Sequence, residues 1–97
     1  MYETKDEIKK QHYDKLQISK ITKTDAFEIL SITLEKDSIF PEHTSPTDAN
    51  LIVLEGAIDF YIDGKTFRLS KQQHFNFPKE MVHWVEAKEN SKFLIVR

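Results

Sequence analysis

The sequence of 97 residues contains no cysteine, only two glycines and three prolines, and no long apolar run. Without cysteine, the chain forms no disulfide, no thiolate metal site and no cysteine nucleophile. No apolar stretch approaches the length that crosses a bilayer, and the N-terminus lacks the apolar segment of a signal peptide. Because export and membrane signals are missing, we expect a cytoplasmic protein without a membrane partner.

Charge of neither sign dominates, since 14 basic and 16 acidic residues leave a formal net charge of −2. The lysines alternate with acidic residues and form no cluster interleaved with aromatic side chains. A nucleic-acid-binding surface needs a concentrated positive field, so this pattern predicts no nucleic-acid partner. The 39% of hydrophobic residues suffice for one core, and the length fits a single domain.

Residues 1–15 are polar and charged, and they are predicted to form an arm in front of a folded domain at residues 16–97. Thr4 followed by Glu7 fits a capping box, which would begin a short helix through Ile8 to His12. Such a helix has few apolar residues with which to pack. A disordered arm is therefore the alternative.

From Leu16 onward, the pattern of residues is that of short β-strands. Ala57–Ile62 alternates between its two faces, as a strand with one buried face does. The following Asp63–Gly64 predicts a type I′ hairpin turn, because both central residues of that turn need positive φ. We expect roughly seven or eight strands with turn residues between them, which predicts an all-β sandwich or barrel.

Two stretches resemble the paired motifs of the cupin family, namely IFPEHTSPTDANLIVLEG and QQHFNFPKEMVHWVEA. His43 falls on the first histidine of the first motif, and Gly56 falls on its closing glycine. Pro78 and His83 match the proline and the histidine of the second motif. The resemblance implies an RmlC-like jelly-roll barrel, also called a double-stranded β-helix, with a short polar N-terminal arm.

The same resemblance indicates that the metal ligands of the family are incomplete in this chain. Of the four residues that typically bind metal in cupins, His43 and His83 remain, whereas Ser45 and Ala49 occupy the other two positions. Two imidazoles leave most of a coordination sphere to water. We therefore expect no cofactor. A divalent transition metal held by His43, His83 and a displaced Asp48 is the alternative.

The predicted ligand site is the interior of the barrel, with His43 and His83 facing each other across its mouth. Both histidines are candidate catalytic residues, because imidazole titrates near neutral pH. The predicted ligand-binding residues are His43, Ser45, Leu51, Val53, Phe75, Phe77 and His83. The alternative for the apolar members is that they fill a solid core.

Two functions from different classes fit these observations. The first is a free-standing cupin domain that binds a small molecule without a metal, and we favour it because the barrel pattern is kept while ligand residues are lost. The second is a small enzyme that uses His43 and His83. It would be a metal-dependent oxygenase, isomerase or lyase, or a metal-free epimerase-like enzyme, since one fold hosts many chemistries.

A homodimer is the predicted assembly, because cupins commonly dimerise through an outer sheet face. Ile52 and Leu54 point away from the barrel interior, and Trp84 does so beside His83. Apolar side chains on an outer face need cover. The alternative cover is the N-terminal arm.

Overall fold

Nine strands and one short helix make up the chain, in a computed structural model that describes residues 1–97. The helix is α1 (Glu7–Lys10), and the strands are β1 (Leu16–Lys23), β2 (Glu28–Leu34), β3 (Ile39–His43), β4 (Ala49–Glu55), β5 (Ala57–Ile62), β6 (Lys65–Ser70), β7 (His74–Phe77), β8 (His83–Ala87) and β9 (Ser91–Val96). The all-β prediction is confirmed, with one or two strands more than expected. No helix of the chain is long or apolar enough to cross a membrane.

The strands form two antiparallel sheets in the predicted jelly-roll arrangement. One sheet has the order β1-β2-β9-β4-β7, and the other has the order β3-β8-β5-β6. Strands that are neighbours in space are therefore often distant in sequence, as β2 and β9 are. Alternate residues of both sheets point inward and form one apolar core, which includes Ile32, Leu51, Phe60 and Phe93.

The hairpin between β5 and β6 is the one that the Asp-Gly pair predicts. Asp63 and Gly64 have φ values of 53° and 68°, and the flanking Ile62 and Lys65 are paired across the turn. Positive φ at both central residues defines a type I′ turn. The sequence-based prediction of this turn is confirmed.

The N-terminal arm lies against the outer face of the five-stranded sheet. Lys92 Nζ donates to the backbone oxygen of Ile8 at 2.6 Å, and Thr33 Oγ1 donates to that of His12 at 2.6 Å. Residues 8–12 thus lie against this sheet, and the arm contains the short helix α1. The capping box is wrong, because the N-cap is Asp6 and makes no side-chain bond there.

The arm explains why β2 is buried on both of its faces. Ser31 and Thr33 alternate with apolar residues but are themselves 0% exposed. Ser31 Oγ donates to Gln11 Oε1 at 2.6 Å, and Gln11 Nε2 donates to the Ser31 backbone oxygen at 3.0 Å. The arm thus supplies hydrogen-bond partners to polar groups that it removes from water.

The outward-pointing apolar residues are divided between the two sheets. Ile52 and Leu54 are half-buried on β4, in the sheet that the arm covers in part. Trp84 belongs to the other sheet, where its ring stacks on Tyr61 with centroids 3.7 Å apart and planes within 5°. These three residues do not form one surface, so the predicted homodimer would use one face or the other.

Candidate functional site

A cavity of about 390 Å³ opens between the two sheets at one end of the barrel. Its walls are mostly apolar and include Leu30, Leu51, Phe60, Phe77 and Phe93. Polar residues line the same space, namely Lys20, Glu28, His43, Thr44, Ser45, His83 and Arg97. An apolar cavity of a few hundred Å³ with a small number of converging polar groups is the usual form of a small-molecule site.

His43 and His83 lie against each other in this cavity. They are paired across the antiparallel strands β3 and β8, and their ring centroids are 4.1 Å apart at an interplanar angle of 66°. His83 is only 2% exposed and stacks on Phe60, whereas His43 stacks on Phe40. Packing on both sides holds the two rings in fixed positions.

Backbone hydrogen bonds determine the tautomer of both histidines. The Nδ1 atom of His43 lies 2.6 Å from the Pro41 backbone oxygen, and that of His83 lies 2.9 Å from the Met81 oxygen. A carbonyl oxygen only accepts, so we assign the proton to Nδ1 in each ring. In the neutral rings, each Nε2 is then a lone-pair acceptor, and neither has a protein hydrogen-bond partner.

Both histidines are kept neutral at physiological pH by their surroundings. Burial lowers the pKa of His43 and of His83, because desolvation disfavours the charged imidazolium. The positive charge of Arg97 lowers both pKa values further, and His43 also lowers the pKa of His83. The backbone hydrogen bonds oppose these shifts without reversing them.

We expect the stability of the protein to fall as the pH drops below the ordinary histidine range. The folded-state pKa of each histidine lies below its unfolded value of about 6.5, so the unfolded state binds more protons in this range. The stabilisation is fully present above about pH 6.5 and is lost as the pH falls toward the folded-state pKa values. Urea unfolding at about pH 7.5 and about pH 5.5 measures the difference.

Two double variants isolate the contribution of the buried pair. His43→Gln/His83→Gln should lose most of this pH dependence, whereas His12→Gln/His74→Gln should keep it, because His12 and His74 are exposed. Equal pH dependence in the two double variants would contradict the assignment of the effect to the buried histidines.

The cavity brings together five of the predicted ligand-binding residues. His43, Ser45, Leu51, Phe77 and His83 line it. The other two predicted residues, Val53 and Phe75, do not line the cavity. Val53 is fully buried nearer the Gly56 end of β4, and Phe75 packs against Phe60 and Phe67 with centroids 5.1 and 4.9 Å away. Alternation along a strand shows which side chains point inward, but only part of the interior is open.

The residues present do not fit the metal site of the family. Asp48 is exposed, and its Oδ1 accepts from the backbone N–H of Lys79 at 3.0 Å, away from the cavity. Ser45 Oγ is engaged in donating to the Thr47 backbone oxygen at 2.6 Å. No three histidine, cysteine or carboxylate side chains lie close enough together to hold a metal ion. In this structure Asp48 does not lie beside the two histidines.

Three charged cavity residues are absent from the sequence-based site, namely Lys20, Glu28 and Arg97. A signal exists for two of them, because Glu28 and Arg97 are in phase with the buried apolar residues of their strands. Glu28 precedes Leu30 by a step of two, and Arg97 follows Phe93 and Ile95 in the same way. Lys20 is at an exposed position of β1 and gives no such signal. A charged side chain on an inward position is the unusual observation that points to a site.

The cupin-domain family model matches residues 30–96. An RmlC-like cupin protein from Desulfovibrio desulfuricans superposes with a TM-score of 0.86 at 21% identity, over 99% of this chain and 95% of that one. A conserved protein of unknown function from Streptococcus pyogenes superposes with a TM-score of 0.78 at 26% identity, over 88% of this chain and 75% of that one.

A third solved structure, KdgF from Halomonas sp., has a TM-score of 0.75 at 19% identity and is covered over 76% of its length by 84% of this chain. No curated protein matches the chain. At these identities, the solved structures establish a shared architecture, while the site has to be argued from the residues of this chain.

Proposed function

Since the chain belongs to the cupin-domain family, whose members have varied functions, we propose that its barrel binds a small organic molecule without a resident metal. The observation that supports this proposal is the coincidence of an open apolar cavity with an incomplete set of metal ligands. Two neutral histidines with free Nε2 atoms give the cavity acceptors for hydroxyl or amide donors of such a molecule.

The cavity supplies enough apolar surface for a useful affinity. A buried aromatic group removes about 150–250 Å² from water. At about 25 cal/mol per Å², this burial contributes about 4–6 kcal/mol before the entropic cost of association is subtracted. One or two hydrogen bonds to the histidines add about 1 kcal/mol each. We expect dissociation constants in the range from about micromolar to about millimolar.

The free Nε2 atoms favour one second function, a metal-free proton-transfer enzyme. An unprotonated imidazole in a desolvated cavity is suited to act as a general base on a bound carbon acid. His43 and His83 are the only candidates for this role among the cavity residues, because the carboxylate of Glu28 is paired with Arg97. The two functions share one binding site and differ in whether a bound molecule exchanges a proton with solvent.

Metal content and ligand binding measured on the same preparation test the proposal. We expect the untagged chain, purified without chelator, to contain transition metal near background by elemental analysis. A His43→Ala/His83→Ala variant is the matched control for adventitious metal. We further expect the neutral apolar probe N-phenyl-1-naphthylamine to bind with unchanged affinity in the presence of EDTA, because no metal takes part.

Near-stoichiometric metal that the double variant loses would overturn the proposal. Absence of any bound probe would overturn it as well, since an accessible apolar cavity binds such a molecule. Incorporation of solvent deuterium into a bound carbon acid, lost in the double variant, would replace the binding function by the proton-transfer enzyme.

A further inference from the structure

Three charged side chains come together at the open end of the cavity. Lys20 lies on β1, Glu28 begins β2, and Arg97 follows β9, and these strands are adjacent in the order β1-β2-β9. The backbones of Glu28 and Arg97 are hydrogen-bonded to each other in both directions, at 2.6 and 3.0 Å. The side chains of two cations and one carboxylate thus meet at this end of the cavity.

Arg97 has donors that the protein does not use. Its Nη2 atom contacts Glu28 Oε1 at 3.3 Å, whereas its Nε atom is buried and has no acceptor in the protein. A buried donor without a partner costs about 1–3 kcal/mol. An acceptor on a bound molecule would satisfy the Nε–H, and the planar fork of a guanidinium suits the two oxygens of a carboxylate.

Glu28 limits the charge of the molecule that this group accepts. Its carboxylate is within 4 Å of Arg97 and of Lys23 Nζ, the latter at 3.9 Å. Lys20 makes no ion pair. Lys20 is therefore available to pair with an anion, and Glu28 repels a singly charged anion less than a doubly charged phosphate.

The other walls specify the rest of the molecule. The apolar side chains that line the cavity require an aliphatic or aromatic body. The free Nε2 atoms of His43 and His83 accept hydrogen bonds and donate none, so they select a hydroxyl group rather than a second carboxylate.

We propose that the cavity binds a small monocarboxylate with an apolar or aromatic body and a hydroxyl group, with the carboxylate at Arg97 and Lys20 and the hydroxyl at the histidine pair. This inference rests on the binding function proposed above and names the class of its ligand. Lys20 on β1 and Arg97 after β9 recognise the charge, and His43 on β3 and His83 on β8 recognise the hydroxyl.

Calorimetric titration with matched probes tests the inference on the full chain. The probes are 3-phenyllactate, its neutral amide 3-phenyllactamide, and 3-phenylpropanoate, which lacks the hydroxyl. We expect 3-phenyllactate to bind about ten- to one-hundred-fold more tightly than the amide, because charge-assisted hydrogen bonds contribute about 1.5–3 kcal/mol. It should bind about three- to ten-fold more tightly than 3-phenylpropanoate, which offers the histidines no donor.

Arg97→Gln should remove most of the preference for the acid and leave the affinity for the amide nearly unchanged. Arg68→Gln is the matched control, because Arg68 pairs with Asp59 on the outer face and does not line the cavity. Lys20→Gln, at an exposed position, should weaken binding of the acid several-fold and provides a second test if Arg97→Gln does not fold.

Equal affinities for 3-phenyllactate and its amide would overturn the inference and leave the binding function standing. The same holds if only the neutral probe N-phenyl-1-naphthylamine binds. An equal loss of preference in Arg68→Gln would attribute the preference to overall charge and would also overturn it. If neither the neutral probe nor the three matched probes bind, the proposed function itself fails.

Discussion

Replacing Gly56 with alanine is expected to destabilise the protein by about 2–5 kcal/mol, a large share of the stability of a small domain. Gly56 has a φ of +83°, a conformation that costs an alanine about 1–2 kcal/mol. A Cβ at this position would also overlap the Asn90 backbone oxygen and Ser91 Oγ and would lie 2.8 Å from Ser91 Cα. Relieving such contacts costs about 1–3 kcal/mol more.

The overlap falls on a buried hydrogen-bonded group, so small adjustments do not relieve it. Ser91 is 0% exposed. Its Oγ accepts from the Ala57 N–H at 3.1 Å and is within 3.1 Å of the Ala57 backbone oxygen. Displacing Ser91 would therefore disturb the start of β5 and the start of β9 together.

Gly64→Ala is the control for the backbone conformation alone. Gly64 also has a positive φ, of +68°, but a Cβ there has nothing within 4 Å. Its replacement with alanine should destabilise the protein by about 1–2 kcal/mol, the cost of the backbone conformation alone. Urea unfolding of both variants gives the comparison. If Gly56→Ala and Gly64→Ala lowered the free energy of unfolding equally, the close packing at Gly56 would contribute nothing to the cost of its replacement.

Replacing Phe60 with alanine is expected to cost about 3–5 kcal/mol, as large truncations in cores do. Phe60 is 1% exposed. Its ring centroid lies 5.0 Å from Phe77, 5.1 Å from Phe75 and 5.3 Å from His83. The side chain thus forms the wall between the open cavity and the solid part of the core, and its loss removes one packing partner from each of these three rings.

Phe67→Ala is the matched control for the loss of a phenyl ring. Phe67 is half-buried on β6, the edge strand of the four-stranded sheet, where it is paired with Phe60 across the strands and its ring packs on Phe75. Phe67→Ala should lower the free energy of unfolding by about 1–2 kcal/mol, because the Phe67 side chain buries a smaller area than that of Phe60. Thermal and urea unfolding measure both variants. A loss for Phe67→Ala as large as that for Phe60→Ala would contradict the central position of Phe60.

Local sequence patterns were sufficient for the parts of the fold in which neighbouring residues decide the outcome. The Asp63–Gly64 turn depends on two adjacent φ values, and Ala57–Ile62 alternates because successive residues of a strand point to opposite faces. The retained residues of the two cupin motifs, with their spacing, indicated the barrel that the cupin-domain match confirms. The contact between His43 and His83 agrees with the positions of those residues in the two motifs.

Local patterns failed where a residue from elsewhere in the chain changes the environment. Ser31 and Thr33 look like solvent-facing positions of β2, yet the arm buries both. Val53 has the same inward phase as Leu51, but it lies in the packed part of the core while Leu51 lines the cavity. The position of a residue in the alternation of a strand determines toward which face its side chain points. Whether that side chain is buried, exposed or next to a cavity depends on the residues that pack against that face.

The sequence by itself therefore determined the strand class, the hairpin and the barrel family, and it identified the two histidines. Only the tertiary structure decided that Asp48 lies away from those histidines and that Lys20, Glu28 and Arg97 lie together at the cavity mouth. The reason is physical: a jelly roll pairs β2 with β9, so residues 28 and 97 become neighbours through hydrogen bonds between strands that are distant in sequence.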